Sequence, residues 1–444
     1  MKFSASFVLL AVSAVFATAN PLQAVLLHNE PHRVASSQDA LLERITELSA
    51  LNADPVELYK LVDPEGAAGL DEPRLLHIWG EEKAEWLTEG DKLRLHRQGL
   101  KFTDITETRE LGNKNKLKVQ AITEFPKISY GTRVRDVISH LSVHNLRDNL
   151  EKLTSFFNRF YKSENGAASS HWLYLQVLDI IAKADPSIPL SIRKFTHTFP
   201  QSSVIARFEP KHPSPNRTAA VIIGAHQDSA NYLHPLLPAP GADDDGSGTV
   251  TILEAFRALV ERKFTPEYPV EFHWYAGEEG GLLGSRPIAA EYEALGRDVR
   301  AMLQFDMTAY TKANHTPTVA FITTDVSTPL TEYGILLAEE YADYPVQRKR
   351  CIFEVRRSVL ICLRNFFFLG AKLFPRAGSD HMSWHDAGYI AAFATEGDPY
   401  TEFDPYVHTA NDTMYLPNGE FSFDHALEFS KVAVAFAVEL GGWV

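Results

Sequence analysis

The sequence predicts an α/β fold, a mainly parallel central sheet with helices on both faces. Three observations carry this. Residues 219–225 form a short, unbroken apolar run, as in a strand buried on both faces. From about Asp148 to the C-terminus strand and helix patterns alternate, the order that crossover connections between parallel strands require. Finally, histidine and acidic residues stand just beyond several of the strands, where ligands collect in open α/β sheets.

Asp148 is placed to cap a helix carrying Leu150, Leu153, Phe156 and Phe157 at helical spacing. A second helix is expected over 171–184, stopped before Pro186. After the strand at 219–225 comes a glycine-rich turn, then a helix from Gly248 that turns Val250, Leu253, Phe256 and Val260 toward the sheet. Further strands are expected over 269–276, 301–305, 319–323 and 389–395, and an amphipathic helix over 424–440 closes the chain.

The region ahead of this pattern reads differently. Lys2, the apolar stretch 7–16 and Ala17-Thr18-Ala19 make a secretory signal peptide over residues 1–19. Residues 20–115 are rich in charge and punctuated by Pro55, Pro64 and Pro73, with a helical pattern over 40–51. Their position between signal and main domain favours a prosegment removed on maturation over a small retained domain, leaving 116–444 as the catalytic domain. The protein is therefore expected to be secreted and extracellular. Sequons at Asn216, Asn314 and Asn411 fit that route, although the third lies so near His408 that burial is expected to protect it. Cys351 and Cys362 are the only cysteines, so at most one disulfide forms.

Composition narrows the partners. The 444 residues are 45% hydrophobic and 23% charged, a globular balance, with a formal net charge of -14. That charge argues against nucleic acid, because phosphate would be repelled. No stretch after the leader reaches the roughly 18 apolar residues of a bilayer span, so no membrane anchor is expected. The expected state is a monomer.

The chemistry lies in His226, Asp228, the run Asp243-Asp244-Asp245, the pair Glu278-Glu279, Asp306 and His408. Singly, each has a plain explanation as a cap, a loop or solvated surface. Together, at corresponding strand ends, they provide what a pair of zinc ions needs. His226 and Asp306 suit one ion, Glu279 and His408 the other, with Asp244 between them. Glu278 is then left as general base for a metal-bound water, and Asp228 accepts the second ring N–H of His226. Met307, Tyr400, Phe403 and Val407 are candidates for an apolar substrate pocket.

The motifs around these residues carry a resemblance. Gly-Ala-His-Gln-Asp-Ser, Pro-Gly-Ala-Asp-Asp-Asp-Gly-Ser-Gly, Ala-Gly-Glu-Glu-Gly-Gly-Leu-Leu-Gly-Ser, Gln-Phe-Asp-Met-Thr and Val-His-Thr-Ala-Asn-Asp-Thr resemble, in order, those of the M28 family of co-catalytic zinc aminopeptidases, above all its secreted fungal leucine aminopeptidases. The likeness runs from about residue 140 to the C-terminus, and loosely through the prosegment. It implies a zinc-exopeptidase-like fold and two zinc ions. It also implies the same assignment: His226 and Asp306, Glu279 and His408, Asp244 as bridge, Glu278 as base, Asp228 behind His226. A prosegment that inhibits or assists folding is implied as well. Gly378 stands where many relatives have a disulfide cysteine, so that bridge is absent and the pocket wall differs.

Other readings are a single-zinc glutaminyl cyclase-like acyltransferase, an inactive receptor-like module, and a carboxypeptidase relative. The complete set for two metals argues against the first, Glu278 beside it against the second. The third lacks a cluster of Arg or Lys near the motifs to clamp a free carboxylate.

Residues 347–373 fit none of this. They hold Arg348-Lys349-Arg350, Arg356-Arg357, Arg364, both cysteines and Phe366-Phe367-Phe368-Leu369 inside an acidic protein, and they lengthen the spacing between Asp306 and Asp380 beyond expectation. Exposed, such a stretch invites aggregation. The favoured reading is translated intron sequence, and the rival is a lid tied by Cys351 and Cys362. Peptide mass spectrometry of the native protein is expected to find a peptide joining the neighbourhood of Val346 to that of Arg376; peptides from 358–372 would establish the insertion as genuine.

Overall fold

The computed structural model describes residues 31–115, 124–349 and 377–444. The leader at 1–19 and residues 350–373 of the anomalous stretch, both cysteines included, lie outside the described residues. Two compact units divide the chain, 1–52 and 53–444. The described part of the first is one helix, α1 (Pro31–Ala50), which starts earlier than the pattern at 40–51 suggests.

The second unit opens with α2 (Pro55–Val62). Asp54 starts it by accepting from the backbone N–H groups of Val56 and Glu57, with Pro55 preset for the first turn. Strands β1 (Pro73–Ile78), β2 (Glu85–Thr88) and β3 (Phe102–Asp104) pair antiparallel in the order β2-β1-β3. Between the last two runs α3 (Glu89–Arg97), begun by a capping box of Thr88 and Asp91. Hydrogen bonds anchor this small sheet and its trailing segment to the body of the second unit. Asp104 N–H donates to the Gly281 carbonyl at 3.0 Å, and the Glu293 carboxylate accepts from the backbone of Gly112, Lys114 and Asn115 at 2.8, 2.8 and 3.1 Å.

Three helices come next: α4 (Gly131–Ile138), α5 (Val143–Thr154) and α6 (Glu164–Ala182). Ser142 caps α5 by accepting from Asn145 N–H, so the helix begins a turn before Asp148 and ends before Phe156. Helix α6 is capped by Ser163 and starts seven residues before the expected His171.

The main sheet has eight strands: β4 (Leu190–Phe195), β5 (Ser203–Phe208), β6 (Ala220–His226), β7 (Val270–Tyr275), β8 (Val299–Phe305), β9 (Val319–Ile322), β10 (Val346–Lys349) and β11 (Ala391–Thr395), in the order β10-β9-β11-β8-β6-β7-β5-β4. Its centre, β11-β8-β6-β7, is parallel throughout. The flanks make the sheet mixed. β5 and β4 run antiparallel on one side, and β9 runs antiparallel to β11 on the other, with β10 parallel to β9. Residues 347–349, expected in the anomalous stretch, are thus sheet residues, and the Arg348 guanidinium pairs with Glu332.

Alternate residues of the central strands feed two cores. Val221, Ile223, Ala225, Phe272, Trp274, Leu303 and Phe305 pack against α7 (Gly248–Glu261) and α11 (Phe423–Gly441). Ile222, Tyr275 and Met302 face the other way, onto Ile288 and Tyr292 of α8 (Ser285–Ala294) and Trp384 of α10 (His381–Asp386). A last helix, α9 (Thr328–Tyr341), precedes β10. Among the described residues no helix is long and apolar enough to cross a membrane.

Candidate metal centre and active site

The parallel centre aims four chain segments at one sheet edge. His226 is the last residue of β6 itself, Asp306 follows β8 directly, and Glu278 and Glu279 lie in the turn after β7. Asp244 sits in the tight turn over 242–247 that opens α7. That turn depends on two glycines. Gly241 has φ +53 and a Cβ there would lie 2.5 Å from the Ser229 Cβ, while a Cβ on Gly248 would lie 2.6 Å from the Phe305 carbonyl.

Backbone hydrogen bonds lock the segments together. Asp245 Oδ2 accepts from His226 N–H at 3.0 Å, and Oδ1 accepts from Gly248 and Met307 at 2.9 and 3.2 Å. Asp412 accepts from the N–H groups of Asp243 and Asp244 at 2.8 and 3.1 Å, tying the His408 loop to the same turn. Arg159, fully buried, donates to the carbonyls of Gln227 and Gly241 at 2.7 and 2.8 Å and joins the chain after β6 to the turn before Asp244. Met307 and His408 both hold left-handed backbone, φ +57 and +59, which non-glycine residues keep only where surroundings enforce it.

Asp244 stands between two imidazoles. Its Oδ1 lies 3.1 Å from His226 Nε2 and its Oδ2 lies 2.8 Å from His408 Nε2. Asp306 Oδ2 is 3.6 Å from His226 Nε2, and Glu279 Oε1 is 3.3 Å from His408 Nε2. The result is two groups able to hold a metal, His226-Asp244-Asp306 and Asp244-Glu279-His408, sharing one carboxylate. The fit to zinc is good: donors about 2.0–2.2 Å from a tetrahedral ion stand about 3.4 Å apart. Moreover, among the described residues Asp306 Oδ1 and Glu279 Oε1 are buried with no hydrogen-bond donor, an arrangement that costs free energy unless a cation completes it.

Behind the groups, Asp228 accepts from Glu278 and Glu279 N–H at 3.0 and 3.1 Å, and its Oδ1 lies 3.4 Å from His226 Nδ1. Charges here are strongly displaced. Burial pushes Glu278 well above the usual carboxylate range, and His226 and Lys101 only partly offset it. Burial acts in the same sense on Glu279, yet His408 and Lys101 hold it down at about 2. Asp244, likewise buried, is held well below the ordinary range by His408 and His226.

A cavity opens beside these groups. Lys101, Asp244, Glu278, Asp306 and His408 form its polar side, and Met307, Phe393, Phe403, Val407, Ala377 and Gly378 the apolar one. Tyr400, expected on this wall, is 44% exposed and does not line the cavity, because the turn that bonds its N–H to Asp398 carries it outward. Phe393, on β11, stands on the wall instead. A Cβ on Gly378 would come within 2.7 Å of the Trp79 ring and 2.5 Å of Met382 Sδ, so Trp79 of the small N-terminal sheet region fills the place of a longer side chain. Asn216, Asn314 and Asn411 are all exposed, including the one expected to be buried.

Two residues of the site lay beyond sequence reasoning. Lys101 Nζ lies 3.3 Å from His408 Nε2 and 3.8 Å from Glu279 Oε2. Tyr232 donates its O–H to Glu279 Oε2 at 2.8 Å and stacks on the His408 ring at 3.8 Å. No local pattern marks either residue. Asp245 and Asp412, by contrast, stand inside quoted motifs and were legible as candidates.

Comparison with known proteins agrees with this architecture. Residues 203–421 match the model of peptidase family M28. Leucine aminopeptidase 1 of Metarhizium robertsii is 39% identical over 84% of this chain and 88% of its own length, and that of Trichoderma harzianum is 40% identical over 84% and 88%. The crystal structure of the Legionella pneumophila LapA aminopeptidase is 25% identical and superposes with a TM-score of 0.66, covering 85% of this chain and 96% of that one. With relatives this near over most of its length, the chain belongs to peptidase family M28 and is a metallo-aminopeptidase.

Proposed function

We propose that the protein is a secreted di-zinc aminopeptidase that removes apolar residues, leucine above all, from free peptide N-termini. The observation that carries this is the Asp244 carboxylate, with one oxygen toward each histidine and Glu278 beside it. In this reading His226 and Asp306 would hold one zinc and Glu279 and His408 the other, with Asp244 shared between them. Bound zinc supplies polarisation of the scissile carbonyl and a water of lowered pKa. The chain's own residues do the rest. Glu278, kept apart from ligand duty, takes the proton of the attacking water and passes it to the leaving amine. Asp228 fixes the imidazole of His226 and the peptide plane that carries Glu278. The region of Asp306 receives the α-amine, and Met307, Phe393, Phe403 and Val407 receive an apolar side chain, which agrees with the leucine aminopeptidase name of the relatives.

Residues 20–115 act as a prosegment in this reading. In its support, Lys101 puts an ammonium against Glu279 and His408, and Trp79 packs where the cavity wall has only Gly378. The lysine then occupies part of the cavity that a peptide must enter, so removal of the segment frees the site. Glycosylation at Asn216, Asn314 and Asn411 fits passage through the secretory route.

Three outcomes test these readings. Purified enzyme should cleave leucine amides with a free amine and spare the N-acetylated ones, with activity lost to a chelator; equal cleavage of both overturns the exopeptidase assignment. Glu278→Gln should lower kcat about a hundred- to ten-thousand-fold while two zinc ions stay bound. A drop to one ion would exchange the roles of Glu278 and Glu279. N-terminal sequencing of the active secreted form should find a first residue between about Leu100 and Ala121, whereas a start near Asn20 would show the segment retained.

A further inference from the structure

We infer that Tyr232 is a positioning residue for one of the two ions, the one assigned to Glu279 and His408; the inference rests on the two-metal reading above. Tyr232 touches both of those ligands. Its phenol donates to Glu279 Oε2 at 2.8 Å, which satisfies that oxygen and leaves Oε1, buried and without a donor, toward His408 Nε2. Its ring lies parallel to the His408 imidazole, with centroids 3.8 Å apart and planes 2° from parallel, and its N–H donates to the His408 carbonyl at 3.0 Å. These hydrogen bonds and ring contacts all fall on the Glu279–His408 side of the centre.

The physical consequence is directional. A carboxylate at a metal site has two oxygens and can rotate between one- and two-oxygen contact. A donor fixed on Oε2 assigns that oxygen and presents the other. An imidazole needs its ring plane set so that the lone pair points at the ion, and a stacked ring with a backbone bond sets it. Such supports behind the ligands typically change metal affinity about 10–100-fold when removed. The phenol itself is held from behind. Asn231, next in the chain, anchors the loop by donating to the Pro238 carbonyl at 2.8 Å and accepting from Leu233 N–H at 3.0 Å, and His96 covers the far face of the ring at 4.1 Å.

The test is a zinc titration of the purified, metal-stripped full-length protein against a competing chelator. Tyr232→Phe removes the O–H and keeps the stack, and Tyr232→Leu removes both. We expect Tyr232→Phe to weaken one of two sites by about 10–100-fold and leave the other as in the wild type. Tyr232→Leu should weaken the same site further. With cobalt in place of zinc, the visible absorption of that one ion should shift in Tyr232→Phe. A purely packing role leaves both affinities and the spectrum of Tyr232→Phe at wild-type values, and that result overturns the inference. A wild-type protein that takes up only one ion defeats the two-metal reading instead, so the two failures are distinguishable. Should Tyr232→Leu not fold, the Phe variant decides alone.

Discussion

Everything at this sheet edge depends on how Asp244 shares its two oxygens between His226 and His408. Asp228, Asp243, Asp244, Asp245, Glu278, Glu279, Asp306 and Asp412 all crowd into one buried region. Carboxylates so placed repel one another and lose hydration, so each must be protonated, hydrogen-bonded or paired with positive charge. Backbone N–H groups answer for Asp228, Asp245 and Asp412, and the Arg159 guanidinium adds fixed positive charge nearby. For Asp306 Oδ1 and Glu279 Oε1 the described residues offer no donor. The fold therefore builds a deficit of positive charge at one point, where two groups of side chains could hold a metal.

The N-terminal region shows the same electrostatic logic from the other side. Lys101 comes from a segment more than three hundred residues away in sequence from His408, yet it brings an ammonium to that deficit. Its burial would ordinarily lower its pKa, but Glu279, Glu278, Asp244 and Asp306 raise it, so the charge is kept. Trp79 adds an apolar contact with Leu282 and Met382. A single lysine of this kind is no clamp for a substrate carboxylate, since it already faces two of the candidate metal ligands.

What could be read from the residues alone depends on how local each signal is. β6 was legible because a strand buried on both faces is apolar without interruption, whereas β7, with Glu271 and His273, and β8, with Arg300 and Gln304, were legible from their place in the strand and helix alternation. β4 was not, because it is an outer strand with half-exposed positions and reads as loop, and β5 beside it is interrupted by Arg207 and carries only the three-residue apolar run 204–206. The start of α5 was misplaced because Asp148 is a good cap in isolation, but Ser142 actually accepts the bond. At the site, His226, Glu278, Glu279 and Asp306 stood out by position relative to strand ends, and Asp244 and His408 by the motifs around them. Lys101 and Tyr232 did not, since their meaning exists only through long-range contact.

Asp228 carries a wider implication. One carboxylate accepts from the peptide N–H of both Glu278 and Glu279 and faces the ring nitrogen of His226. Its two oxygens thereby gear together three residues, His226 at the end of β6 and Glu278 and Glu279 in the turn after β7. Divergence among descendants of such a site is channelled accordingly. The pocket wall, where Gly378, Phe393 and Phe403 stand free of that gearing, can drift one residue at a time, whereas the three geared positions can only be kept or lost as a set.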